Sequence, residues 1–186
     1  MSDHFAVLKS RRVRHMSRLF FPALLGLLLS GENAAADCTY LHIDGGDRHV
    51  CLLADTGVVC WGDNTDGQTT VPVLTGPTTT VSAGETHTCV IDNNQVKCWG
   101  ANYWGQRSVP PLSNPTALSA GDVHSCAIDD SGVNCWGNNS YGQLDVPPTL
   151  SNPREVSAGT WNTCAIDDSG LVCWGLADYD INNPPA

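Results

Sequence analysis

Strong bases are almost missing from this chain beyond residue 36. Arg48, Lys97, Arg107 and Arg154 stand there against 17 acids, a net charge of −13. Nucleic acid is held through basic contacts to phosphate, and an anionic membrane surface through clustered lysine and arginine. Charge therefore argues against both partners. Helical periodicity is also lacking after residue 37, and so is any Cys-x-x-Cys pair of the kind that serves redox chemistry or zinc. There is no Gly-x-Ser-x-Gly elbow, no phosphate loop, and no grouping of nucleophile, base and acid. These absences lead to an expectation of no catalytic residue, no metal and no cofactor.

Bases are instead concentrated at the start. Lys9, Arg11, Arg12, Arg14 and Arg18 lead into an apolar run from Leu19 to Leu29, and Ala34-Ala35-Ala36 follows. Charge, apolar run and small residues in that order read as a signal peptide over residues 1–36, cleaved after Ala36. Met16 offers a shorter natural start. The run is shorter than the roughly 18 apolar residues needed to span a bilayer, so no membrane partner is expected after cleavage. The expected location is secreted, periplasmic or cell-surface.

Nine cysteines suit that compartment. Eight fall into one phrase used four times: a cysteine, eight residues, then Cys-Trp-Gly. The copies begin at Cys51, Cys89, Cys126 and Cys164, at spacings of 38, 37 and 38 residues. Such a period marks one supersecondary unit repeated. Within each phrase apolar residues flank an Asp/Asn/Ser/Gly centre, the pattern of a β-hairpin. A symmetric hairpin turning at residues 93–94 sets Cys89 opposite Cys98, close enough to bridge. The same reading predicts Cys51–Cys60, Cys126–Cys135 and Cys164–Cys173. Cys38 is left unpaired, as a free thiol or a bridge to another chain.

The third unit runs Leu118-Ser119-Ala120-Gly121, His124-Ser125-Cys126-Ala127-Ile128, Val133-Asn134-Cys135-Trp136-Gly137, Asn139, Gly142-Gln143 and Val146-Pro147-Pro148. Runs at 116–120, 124–128 and 133–136, with a shorter one near 143–146, predict four strands per unit, as in a propeller blade. The pattern resembles the regulator of chromosome condensation (RCC1) repeat family over residues 41–186. It is most similar to the secreted bacterial, cysteine-containing type that includes β-lactamase-inhibiting propellers. The resemblance implies an all-β protein, a β-propeller of about 38-residue blades over residues 37–186, with units at about 41–78, 79–116, 117–154 and 155–186. Family members usually have seven blades. Four could close as a small propeller, form an open arc that pairs with a second copy, or be a remnant of a longer propeller. An open arc is expected to expose two strand edges. In the last unit Asn162 replaces the repeated histidine.

Residues that recur read as scaffold: Gly46, Gly84, Gly121 and Gly159 for tight turns, the four tryptophans for packing between blades, and His49, His87 and His124 for structural hydrogen bonds. Residues that differ between units read as function. Up-and-down strand order brings Tyr103, Trp104, Tyr141, Trp161 and Tyr179 to one loop face, a candidate binding surface. The turn aspartates at 92, 129 and 167 are ordinary turn chemistry rather than calcium ligands. Asn138-Asn139-Ser140 is a glycosylation sequon. The expected function is a secreted, non-enzymatic module that binds a protein partner, with a homodimer possible. Carbohydrate binding on the same aromatics is the alternative. A lyase or hydrolase propeller, or a guanine-nucleotide exchange factor, fits less well.

Overall fold

The chain divides into two units, Met1–Ala35 and Ala36–Ala186. The computed structural model describes residues 39–176, within the second. The expected signal peptide, Cys38 and Tyr179 lie outside the described residues.

Each repeat folds into a three-stranded antiparallel sheet. The first holds β1 (Tyr40–Gly45), β2 (His49–Ala54) and β3 (Gly57–Gly62), and the second β4 (Thr78–Ala83), β5 (His87–Asp92) and β6 (Gln95–Gly100). The third holds β7 (Ala117–Ala120), β8 (His124–Asp129) and β9 (Gly132–Gly137), and the fourth β10 (Glu155–Ala158), β11 (Asn162–Asp167) and β12 (Gly170–Gly175). The second and third strands of each sheet form the stapled hairpin. Register sets Cys89 against Cys98, and all four disulfides form as the cysteine spacing predicts. In the second sheet the two-residue turn places Asn93 and Asn94 at φ 50° and 61°, which asparagine tolerates.

Among the described residues the fourth strand does not form. Near 143–146 the backbone closes on itself: Asp145 N donates to Gly142 O at 3.0 Å, and Leu144 N donates to Asn139 Oδ1 at 2.8 Å. Pro147 and Pro148 then offer no N–H to a ladder. The equivalent segments instead run between sheets as wedges. Val71 and Leu74 pack with Cys51, Leu53, Val81, Val90 and Trp99, while Val109 and Leu112 pack with Cys89, Ile91, Leu118, Ala127 and Trp136. Each core cluster therefore lies between two sheets.

The wedges are anchored by the turn aspartates. Asp92 accepts from Thr75 N and Gly76 N, Asp129 from Ser113 N, and Asp167 from Ser151 N. Burial opposes the ionisation of Asp92. Lys97, at 2.6 Å, and the two N–H groups outweigh it and hold the carboxyl at about 2. These carboxylates are spent inside the fold, as turn chemistry requires.

Neighbouring sheets are joined by a repeated polar clasp. His49 Nε2 lies 2.8 Å from Thr88 Oγ1, whose hydroxyl donates to Gln68 O at 2.9 Å; Trp99 Nε1 donates to the same carbonyl at 2.8 Å. His87–Ser125–Gln106–Trp136 and His124–Thr163–Gln143–Trp174 repeat it. A hydroxyl has one hydrogen, and here it goes to the carbonyl. The imidazole must then be the donor, which assigns each histidine as the neutral Nε2–H tautomer. Nδ1 of all three is buried without a partner, as an unprotonated ring nitrogen can be.

The recurrent glycines have a reason other than turns. Gly46, Gly84 and Gly121 are not in the left-handed region. A Cβ on any of them would overlap the carbonyl oxygen of the next sheet's glycine: Gly84, Gly121 and Gly159 respectively. Close approach between sheets, across 37 or 38 residues of sequence, is the constraint.

Stacked in this way the sheets form an open arc. First packs on second, second on third and third on fourth, and the ring does not close. Among the described residues the arc leaves two sheet faces uncovered, one on the first sheet and one on the fourth. Trp61, read as packing between blades, is 49% exposed because no described sheet precedes it.

Two outcomes test this account. Gly84→Ala should cost about 1–3 kcal/mol, read as a lower Tm in thermal unfolding. Acid should also loosen the clasps. Burial lowers the pKa of His87 and His124 from 6.5 to about 4, and also lowers that of His49. The unfolded chain then binds more protons between those values, so stability falls as pH drops from about 6.5 towards 4 and is flat above. Asp92, Asp129 and Asp167, whose pKa values are lowered, lose their contributions only below that window, whereas Glu85, raised by burial, opposes the histidine trend within it. Chemical denaturation at pH 7, 5.5 and 4 measures it, and a His87→Asn, His124→Asn variant should show a flatter profile.

Candidate binding face

Two loops per unit emerge at the same end of the arc. The loop after each inner strand is tied to the loop after each third strand by one backbone bond: Asp63 N to Arg48 O, Ala101 N to Thr86 O, Asn138 N to Val123 O and Leu176 N to Trp161 O, at 2.9–3.0 Å. This end is therefore a single face built from variable loops on a repeated frame.

In the first three units a buried glutamine sets the loop tip. Gln68, Gln106 and Gln143 are at most 1% exposed. Their Oε1 atoms accept from Asp66 N, Trp104 N and Tyr141 N at 2.9 Å. The same three residues lend their backbone carbonyls to the clasps, so the loop tips are positioned by the interaction that joins the sheets. The side chains at the held positions differ: Asp66, Trp104 and Tyr141.

Four of the five aromatics expected on this face lie within the described residues, and all four are there. Tyr103 is 77% exposed and Trp104 54%. Tyr103 Oη donates to Asp66 Oδ1 of the preceding unit at 2.5 Å, which raises the phenol's pKa. Tyr141, 49% exposed, meets the half-buried Trp161 edge-on, with centroids 5.1 Å apart and planes at 62°. Asn138 of the sequon is buried, and its Oδ1 accepts from Ser140 N and Gln143 Nε2. It has no room for a glycan.

Inside the aromatic loops the inner strands surround a concavity of about 520 Å³, lined in part by Asp44, Asp47, Glu85 and Asp122. Burial raises the pKa of Glu85, and repulsion from Asp122 and Asp47 adds to the shift. Asp44 is engaged, accepting from Ser82 Oγ and Ala83 N at 2.9 Å. Among the described residues no three His, Cys, Asp or Glu side chains converge as metal ligands. Among the described residues the face presents apolar rings at the outer loops and negative charge at the centre. The glutamines and the acidic lining were missed in the sequence reading, although the recurrence of Gly-Gln in three units was there to be read.

Repeated antiparallel sheets stacked about an inner rim define the class: blades of a β-propeller. Residues 41–68 and 116–143 match the model of the regulator of chromosome condensation (RCC1) repeat. None of the curated proteins compared matches the chain. Among solved structures it is similar to the ectodomain of the receptor kinase CR4 from Physcomitrella patens, at 26% identity over 85% of this chain and 46% of that one, with a TM-score of 0.65. The CRINKLY WD40 ectodomain of the Arabidopsis thaliana receptor kinase ACR4 is 26% identical over 75% of this chain and 51% of its own, with a TM-score of 0.60. Prp20p from Saccharomyces cerevisiae, a protein described with its binding to Gsp1p and histones, shares the fold at 15% identity over 81% of this chain and 49% of its own, with a TM-score of 0.69. The chain thus spans about half the length of the structures it matches.

Gln143→Ala should strip Tyr141 N and Asn138 Oδ1 of their buried partner and cost about 1–3 kcal/mol. Limited proteolysis should then open the 139–145 loop first, while the stapled hairpins stay protected.

Proposed function

We propose that the chain is a secreted, non-enzymatic protein-interaction module that grips its partner with the aromatic loop face. The observation that carries this reading is the division of labour at that face. Buried residues repeat from unit to unit, whereas the loop tips held by the glutamines differ and expose Tyr103, Trp104 and Tyr141. Large aromatics on a rigid frame lose little entropy on binding and supply most of the contact energy where interfaces have hot spots. The acidic concavity behind them favours a partner that presents a basic side chain. Four disulfides and the similarity to two receptor ectodomains support an extracellular setting.

Prp20p's dealings with Gsp1p and histones belong to a protein of which this chain resembles half. Exchange-factor activity would need a cytosolic or nuclear site, which the disulfides disfavour. Sugar binding would use the same rings, but Tyr141 and Trp161 meet edge-on rather than as one flat platform.

Immobilised chain and a Trp104→Ala, Trp161→Ala variant should be compared for capture from an extracellular extract. Capture of a basic protein that falls at least about tenfold in the variant, with CD unchanged, is the expected result. Equal capture by both overturns the reading, and binding confined to a glycan array moves it to carbohydrate.

A further inference from the structure

The two ends of the arc present two halves of one interface. Inside the arc, each sheet offers its disulfide face to the next sheet's tryptophan face, as Cys51 and Leu53 do to Val81, Val90 and Trp99. The first sheet's tryptophan face has no such neighbour among the described residues, and Ile43, Val59 and Trp61 on it are 49–60% exposed. The fourth sheet's disulfide face is likewise uncovered, with Ile166 and Leu171 exposed.

A terminal sheet that faces water should be polar on its outer side. The first sheet is the reverse. Val50 stands where the other sheets have Thr88, Ser125 and Thr163, and Val59 where the second and third have Lys97 and Asn134. The open face is thus more apolar than the buried ones it corresponds to.

The clasp identifies what covers it. Between the described sheets a histidine always meets a hydroxyl of the next sheet. At the ends both members are replaced: the fourth sheet has Asn162 for the histidine, and the first has Val50 for the hydroxyl. A histidine at 162 seated on Val50 would bury an N–H with no acceptor, so the two replacements suit one another. Other half-contacts agree. Ala120 N and Ala158 N donate to Ser82 Oγ and Ser119 Oγ of the preceding sheet. Ser157 Oγ, next in that series, has no hydrogen-bond partner among the described residues, while the corresponding donor on the first sheet, Gly45 N, is held by its neighbour Asp44 Oδ1 at 3.0 Å. Gly159 keeps the glycine that Gly46, Gly84 and Gly121 need for a following sheet. The arc also aligns with 46–51% of the longer chains named above, so two arcs have the extent of one.

We propose that two copies of this chain join head to tail, the fourth sheet of each seated on the first sheet of the other, closing a ring of eight sheets. Trp61 of each copy then packs on the Cys164–Cys173 bridge of its partner. This pairing stands apart from the loop-face reading, since it uses the sheet faces at the ends of the arc and leaves the loops free.

Multi-angle light scattering on the full chain from an oxidising compartment tests it, with Cys38→Ser in every sample to remove an interchain bridge as a cause. The expected mass is twice that of the chain. Trp61→Glu and Leu171→Glu should each give monomers with unchanged CD and four intact disulfides. Mixed together, those two variants should associate again, because one keeps its fourth-sheet face and the other its first-sheet face. A native monomer overturns the proposal and assigns the faces to residues of this chain outside 39–176 or to a different protein. A dimer lost with only one of the two variants overturns it in favour of like-face pairing, and a dimer that survives both places the contact elsewhere.

Discussion

One chain of hydrogen bonds couples each sheet to the next: histidine N–H to a threonine or serine hydroxyl, hydroxyl to a glutamine carbonyl, with a tryptophan N–H on the same carbonyl. Its members come from three segments. The histidine belongs to one sheet, the glutamine to the connecting wedge, and the hydroxyl and tryptophan to the following sheet. A hydrogen bond of this kind contributes only about 1 kcal/mol net, whereas a buried donor left unmade costs more. The clasp therefore acts chiefly as a specification. Sheets rotated or shifted from this arrangement would bury several polar groups unpaired, so one relative placement is favoured and repeated around the arc.

Other features follow from that closeness. The inner glycines are required because a neighbouring carbonyl occupies the space of their Cβ. The histidines stay neutral because they are buried at the interface, and burial depresses their pKa. The glutamine that supplies the carbonyl also pins the loop tip with its side chain, so interface and binding face share a residue. At the loop tips held by the glutamines the side chains differ between units: Asp66, Trp104 and Tyr141. The first and last described sheets are the two that lack a clasp member, at Val50 and Asn162.

Much of this architecture was legible in the sequence because it depends on local spacing. Cys-x₈-Cys about a turn can be satisfied by only a few hairpin registers, and the symmetric one pairs the cysteines in all four units. Loop parity likewise brought Tyr103, Trp104, Tyr141 and Trp161 to one end. The features that escaped are those decided by neighbours distant in sequence. A β-favouring run near Val146 is a wedge because the next residues are prolines and the interface needs filling. Gly84 looks like a turn glycine until the carbonyl of Gly121 is set beside it. Trp61 has the same sequence context as Trp99 and Trp136, and only the stacking order separates an exposed ring from two buried ones.

The clasp itself can be observed directly by ¹⁵N NMR of the His87 imidazole. A neutral ring with hydrogen on Nε2 and a bare Nδ1, persisting as pH is lowered to about 4, is the signature the structure requires. Hydrogen on Nδ1, or titration at the ordinary histidine value of 6.5, would contradict the account.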